Sequence, residues 1–295
     1  MSQIIELIKV LRDRTGAGLM DCKKALLEND NDVEKAIDWL REKGIAKVAK
    51  KSSRIAAEGK TNVLASGNDA IVLEINSETD FVANSDPFAD LVKYCTSAII
   101  TNKPASVEDA KKVGFDGGKS IEETFTDATI KLGEKLDLRR FELVTKTDDE
   151  VFGTYIHMKG KISVLVVLKN GTPELAKGIG MTIAANNPSY IQMEDIPAAV
   201  VEKETAVQTE LSVQDENSSK KPENVRTNII KGRVDKILAE QVLVLQDYVL
   251  DPSKKVGQIL KEAGASVVKF IRYQVGEGLE KRQDDFAAEV MNQAK

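Results

Sequence analysis

The stretch Ala70-Ile71-Val72-Leu73-Glu74-Ile75-Asn76-Ser77-Glu78-Thr79-Asp80-Phe81-Val82-Ala83-Asn84, followed by Ser85-Asp86-Pro87, decides how this chain is read. Ala70 to Leu73 are apolar and rich in β-branched residues, as a buried strand requires. The chain then turns polar and sets one carboxylate beside one large aromatic, Asp80-Phe81. Ser85-Asp86-Pro87 predicts a helix start, because proline at the first helical position gives up no hydrogen bond. A loop fixed between a strand and a helix suits the presentation of a side chain to a partner. Local spacing alone allows Phe81 either to tuck into the core, as aromatics commonly do, or to stand out from the loop.

The same pattern recurs downstream. Ile162-Ser163-Val164-Leu165-Val166-Val167 reads as a strand leading to a helix around Leu175-Ala176-Lys177, which ends at Asn186-Asn187-Pro188. Leu91, Lys93, Ile99, Asn102 and Pro104 match Leu175, Lys177, Ile183, Asn186 and Pro188 in one ungapped register. A strand followed by a packed helix, used twice, predicts an α+β core with a weak internal duplication. The second copy crosses from strand to helix through the short Lys169-Asn170-Gly171-Thr172-Pro173. The first copy spends a longer loop there. Closure does not need the extra residues, which favours a displayed Phe81.

Helices are expected on either side of this core. Ile4, Leu7, Ile8 and Leu11 recur at helical spacing, Thr15-Gly16-Ala17-Gly18 breaks the pattern, and a second helix runs from about Leu19 to Leu27. Asn31 with Glu34 suggests a capping box for a third helix, with Val33, Ala36, Ile37 and Leu40 on its apolar face and Gly44 as its stop. Lys47, Lys50, Lys51 and Arg54 then form either a solvated connector or a patch that steers an acidic partner. Val200, Val207 and Leu211, then Val225, Ile229 and Ile237, place a narrow apolar seam on each of two consecutive helices, as an antiparallel hairpin projecting from the core would. Val242 to Leu245 and Val267 to Tyr273 read as strands, and Phe286 to Met291 as a short closing helix. The expected units are 1–54 (helical bundle), 55–140 (first core part), 141–196 (second core part), 197–238 (hairpin), 239–276 (return to the second core part) and 277–295 (C-terminal module).

Composition excludes several functions. Charged residues make up 30 % and hydrophobic ones 42 % of the 295 positions, which fits a folded globular protein rather than a disordered one. No apolar run reaches the length of a membrane span, and the N-terminus carries neither a secretory nor an organellar targeting pattern, so a cytoplasmic protein without membrane contact is expected. A net charge of −5 with 5 % aromatics argues against direct nucleic-acid binding. Cys22 and Cys95 form no metal-binding or disulfide spacing. Gly117-Gly118-Lys119-Ser120 imitates the end of a phosphate-binding loop, but Val113 stands where the motif needs its first glycine. Isolated acids such as Glu78 and Asp80 do not make a metal site. No catalytic residue, cofactor or metal is expected.

Glu74 to Asn84 resembles the signature loop of the bacterial elongation factor Ts family. A second signature of that family is matched by Leu11-Arg12-Asp13-Arg14-Thr15-Gly16-Ala17-Gly18-Leu19-Met20-Asp21-Cys22-Lys23-Lys24-Ala25-Leu26. The motifs stand in the family's order, and the likeness extends through Tyr155-Ile156-His157 to Gly276-Glu277-Gly278. The resemblance implies a ubiquitin-associated-like N-terminal bundle, a coiled-coil hairpin and a guanine-nucleotide exchange factor for GDP-bound elongation factor Tu. It assigns Thr79, Asp80, Phe81 and Val82 to a loop that disturbs the partner's magnesium site, so that GDP leaves and GTP can bind. It assigns Leu11, Arg12, Met20, Lys23, Lys24, His157 and Phe286 to further partner contacts, and it leaves room for a homodimer within a two-to-two complex. Exchange breaks no covalent bond, so an enzyme is not expected. Two rival readings are an adaptor that uses the N-terminal bundle without affecting nucleotide, and an enzyme in which Glu78, Asp80 and His157 converge. His157 could equally be a solvent-facing residue without a role.

Overall fold

A computed structural model describes residues 2–51, 53–215 and 221–280. Three helices, α1 (Ser2–Thr15), α2 (Leu19–Glu28) and α3 (Val33–Lys51), close on a small core that includes Ile8, Leu11, Cys22, Leu26, Ala36 and Leu40. Asp32, not Asn31, caps α3: its Oδ1 accepts from the amides of Glu34 at 3.0 Å and Lys35 at 3.1 Å. Asn31 instead takes a left-handed turn conformation (φ 62°), which asparagine tolerates, so the expected capping box does not form.

The first half of the core is β1 (Glu58–Ser66), β2 (Asp69–Ser77), α4 (Asp80–Ala83), α5 (Asp86–Asn102), α6 (Val107–Lys112), α7 (Ile121–Leu132) and β3 (Asp137–Thr145). The second is β4 (Glu150–His157), β5 (Ile162–Lys169), α8 (Pro173–Asn186), the hairpin α9 (Ala198–Gln214) and α10 (Glu223–Ala239), β6 (Asp247–Tyr248), β7 (Asp251–Lys255), α11 (Val256–Ala263) and β8 (Ser266–Gln274). Two antiparallel three-stranded sheets result, β1-β2-β3 and β4-β5-β8. The polar part of the opening motif does not leave the strand at Glu74. β2 continues through Ser77, and Ala70 to Ser77 are buried throughout.

The duplication is structural. β2 and β5 are the central strands, and each is covered by the helix that follows it. Phe88, Leu91, Cys95 and Ile99 of α5 pack on Ile71, Leu73 and Ile75, while Ala176, Ile179 and Ile183 of α8 pack on Val164, Val166 and Leu168. Both helices stop in the same way, in a left-handed residue followed by proline: Lys103 (φ 49°, ψ 52°) and Asn187 (φ 50°, ψ 52°). The other faces of the sheets meet through Val63, Ala70 and Val72 against Phe152, Leu165, Val167 and Ile271. The core is therefore helix, sheet, sheet, helix.

Gly44 does not stop α3, which runs on to Lys51. It lies where α3 presses on α7, and a methyl group there would stand 2.0 Å from Ile130 Cδ1. This glycine permits a close approach. The side chains of residues 45–50, Lys47 and Lys50 included, lie outside the described set, as do Phe286 to Met291. Lys51 donates to the Gly133 carbonyl, and Arg54 pairs with Glu78.

The helical hairpin forms and Val200 packs at its base as expected, but farther out the seam is displaced by one residue on each helix. Gln208 and Ser212 of α9 are buried, with Ile230, Val234 and Leu238 of α10. Val207 and Leu211 are nearly half exposed instead. Apolar packing is concentrated at the base, where Ile230, Val234 and Leu238 meet Ile196 and Val242. Farther out the helices use polar links such as Arg233–Asp215 at 3.1 Å. Val242 to Leu245 is not a strand but a bend with a 3₁₀ turn at Leu243–Leu245: Val242 packs under the hairpin base and Leu243 in the core cluster of α8, while Leu245 is exposed. No described helix is long and apolar enough to cross a membrane.

Replacing residues 207–226 by a short glycine-serine link is predicted to leave the melting temperature of the core within about 2 °C of the parent. A large loss would make the outer hairpin part of the main core. Burial pushes the Cys95 thiol up to about 12 and raises that of Cys22. At pH 8 neither thiol should react with a thiol reagent in the native protein, and both should react in denaturant. A fast native thiol would contradict the packing of α2 or α5.

Candidate functional site

The link between β2 and α5 is a single helical turn, α4, rather than an open loop. Thr79 caps it: its Oγ1 accepts from the Val82 amide at 3.3 Å and donates to Glu134 Oε1 at 2.6 Å. The other oxygen of Glu134 accepts from the amides of Glu78 at 3.1 Å and Thr79 at 3.0 Å. Glu78 in turn accepts from the Lys135 amide at 2.6 Å and from Arg54 Nη1 at 3.2 Å. Ser77 Oγ donates to the Thr79 carbonyl at 2.9 Å, and Ser85 Oγ to the Val82 carbonyl at 2.7 Å.

These bonds divide the four motif residues by role. Thr79 holds the turn, and Val82 packs against the first core cluster beside buried Ala83. Asp80 and Phe81 face outward, Phe81 with 86 % of its surface exposed. Leaving a phenylalanine in water forgoes roughly 1.5–3 kcal/mol of burial. The fold keeps this ring outside while fixing the turn that carries it.

His157 ends β4, with Nδ1 3.0 Å from the Tyr155 hydroxyl. Met158 (φ 47°) and Lys159 (φ 55°) then both adopt the left-handed conformation, a local strain of the kind that gathers at functional sites. Met158 is 69 % exposed and Ile156 44 %. The Gly160 carbonyl closes the turn by accepting from Thr61 Oγ1 of β1 at 2.9 Å, and Lys161 pairs with Glu58 of β1 at 2.6 Å. α4 also rests on β1. Phe81 and the His157 turn thus share one supporting strand.

In the bundle, Arg12, Met20, Lys23 and Lys24 are exposed. Leu11 is not: it is fully buried, so it holds the three helices together and offers no surface to a partner. Ile5, Leu19 and Leu27 are exposed apolar residues of the same helices that periodicity did not single out. Phe286 lies outside the described residues. Gly117-Gly118-Lys119-Ser120 follows a helix instead of a strand. Ser120 is engaged in a capping box with Glu123, and Lys119 pairs with Asp127. Its role is to start α7.

No sequence signal pointed to Glu134, and Arg54, expected in a basic connector, pairs with Glu78 beside the turn. Gly133-Glu134-Lys135 looks like an ordinary helix exit, and nothing local announces that Glu134 reaches Thr79, 55 positions earlier.

A family model described as elongation factor TS matches residues 78–277, more than half of the chain. A second, described as the N-terminal region of mitochondrial elongation factor Ts, matches residues 2–47. The first begins at Glu78, inside the bonded turn, and ends at Glu277 beyond β8. The descriptions name the family without restricting it to bacteria. The chain belongs to the elongation factor Ts family, the nucleotide exchange factors of elongation factor Tu in translation elongation.

Proposed function

We propose that this chain binds GDP-bound elongation factor Tu and promotes GDP release by inserting the Phe81 turn beside the partner's magnesium site, so that GTP can bind. The observation that carries this reading is the exposure of Phe81 on a turn already fixed by side-chain hydrogen bonds. A pre-formed turn loses little conformational freedom on docking, so most of the ring's burial energy remains available to separate partner elements. Burying one phenylalanine contributes roughly 1.5–3 kcal/mol, which corresponds to one to two powers of ten in an equilibrium constant.

Asp80 supplies the second effect. A carboxylate brought next to a bound Mg²⁺ competes for the contacts that hold the ion, and the ion offsets the phosphate charge of GDP. Weakening the ion weakens GDP. Arg12, Met20, Lys23 and Lys24 on the bundle, and His157 with its strained turn on β4, add contacts that place the Phe81 turn. His157 acts here as a contact, not as a base. Coupling is reciprocal: GDP weakens binding of this chain by the factor by which this chain weakens GDP.

Phe81→Ala tests the reading. Release of a fluorescent GDP from elongation factor Tu should slow by about 10- to 100-fold relative to the parent chain at equal concentration. The melting temperature should not fall, because the ring is exposed. Release as fast as the parent's would remove Phe81 from the mechanism.

A further inference from the structure

We propose that Glu134 is a positioning residue for nucleotide exchange, acting through the Phe81 turn; the proposal rests on the exchange reading above. An isolated helical turn is unstable, because it fixes several residues for very few internal bonds. α4 is such a turn, of four residues, and Glu134 supplies what it lacks. One oxygen accepts the two amides that enter the turn, and the other accepts the Thr79 hydroxyl that caps it. A carboxylate at a helix N-terminus is also electrostatically favourable. With Glu134 removed, two amides and a hydroxyl lose their acceptor, and Phe81 loses its defined direction.

The place of Glu134 in the chain widens its role. It follows Gly133, the left-handed residue that ends α7 (φ 77°), whose carbonyl accepts from Lys51 at the end of α3. Its other neighbour, Lys135, donates its amide to Glu78, and its ammonium donates to the Arg54 carbonyl at 2.9 Å. Gly133-Glu134-Lys135 is therefore the point where the connector from the N-terminal bundle, the end of α7 and the Phe81 turn are bonded together. Docking of the bundle and presentation of Phe81 are linked through three consecutive residues.

Four variants of the full chain separate positioning from other roles: Glu134→Ala, Glu134→Gln, Phe81→Ala and the Phe81→Ala, Glu134→Ala double variant. GDP release from elongation factor Tu is followed across a range of exchanger concentrations, with melting curves alongside. Glu134→Ala should lower the maximal release rate at least tenfold with little change in melting temperature. Glu134→Gln should restore most of it, because the amide oxygen still accepts the two backbone N–H groups. In the Phe81→Ala background, Glu134→Ala should cost less than about threefold more, the non-additivity expected when one residue works through another. A Glu134→Ala chain as active as the parent, or a full tenfold loss retained without Phe81, overturns the positioning role alone. A parent chain that does not accelerate release overturns the exchange reading and the positioning role together.

Discussion

The Glu74 carboxylate is the interaction on which the rest of the architecture depends. It sits fully buried on the central strand β2, and it is engaged from several directions. Arg139 donates at 3.0 Å and Arg140 at 2.7 Å from β3, Asn76 at 3.2 Å from its own strand, and the Gly276 amide at 2.8 Å from the turn after β8. Gly276 can bring its amide there because it adopts φ 71°, and because a side chain at that position would meet the Ala57 carbonyl at 2.3 Å. One acceptor thus joins the first sheet to the last strand of the second. Removing one member of a buried charged group typically costs about 3–5 kcal/mol, since the others are left uncompensated. The Gly276-Glu277 pair near the end of the chain follows from this constraint: Glu277 adds its carbonyl to Arg139 at 2.5 Å and its carboxylate to Arg140 at 3.3 Å.

With the sheets locked face to face, the ends of their strands become fixed platforms. β2 delivers the amides of Glu78 and Thr79 to Glu134, while β1 supports both α4 and the His157 turn. Rigidity at the platform is what permits exposure at the tip. A phenylalanine on a mobile loop would bury itself or spend its contact energy on ordering, whereas Phe81 stands on a turn with its amides, cap and apolar anchor already satisfied. The proposed function builds on this arrangement: the chain would contribute a wedge and a carboxylate, and the chemistry of nucleotide and metal would belong to the partner.

Much of this was legible in the sequence where the signal is local. Apolar runs marked β2 and β5, the ungapped match from Leu91 to Pro104 marked the duplication, and the longer first loop marked Phe81 as displayed. What stayed hidden depends on distant contacts. Leu11 belongs to the family motif yet is core, as its helical spacing with Ile4, Leu7 and Ile8 marked; membership of a motif does not distinguish a packing residue from a contact residue. Gly44 reads as a stop until α7 is placed against it. Val207 and Leu211 imitate a hairpin seam, but Gln208, Ser212 and Asp215 fill the contact with polar groups, which no hydrophobic pattern reports. Glu134 carries no motif, and its importance lies in two amides and a hydroxyl more than fifty positions away.

The most direct measurement is the coupling between this chain and nucleotide on elongation factor Tu. Its affinity would be determined by calorimetry for the nucleotide-free and GDP-bound partner, with and without excess Mg²⁺, for the parent chain and for Phe81→Ala. GDP with Mg²⁺ should weaken the parent's binding strongly, and this weakening should shrink by at least tenfold in the variant. Equal ratios for the two chains would contradict the wedge role of Phe81, because the exposed ring would then play no part in driving the nucleotide out.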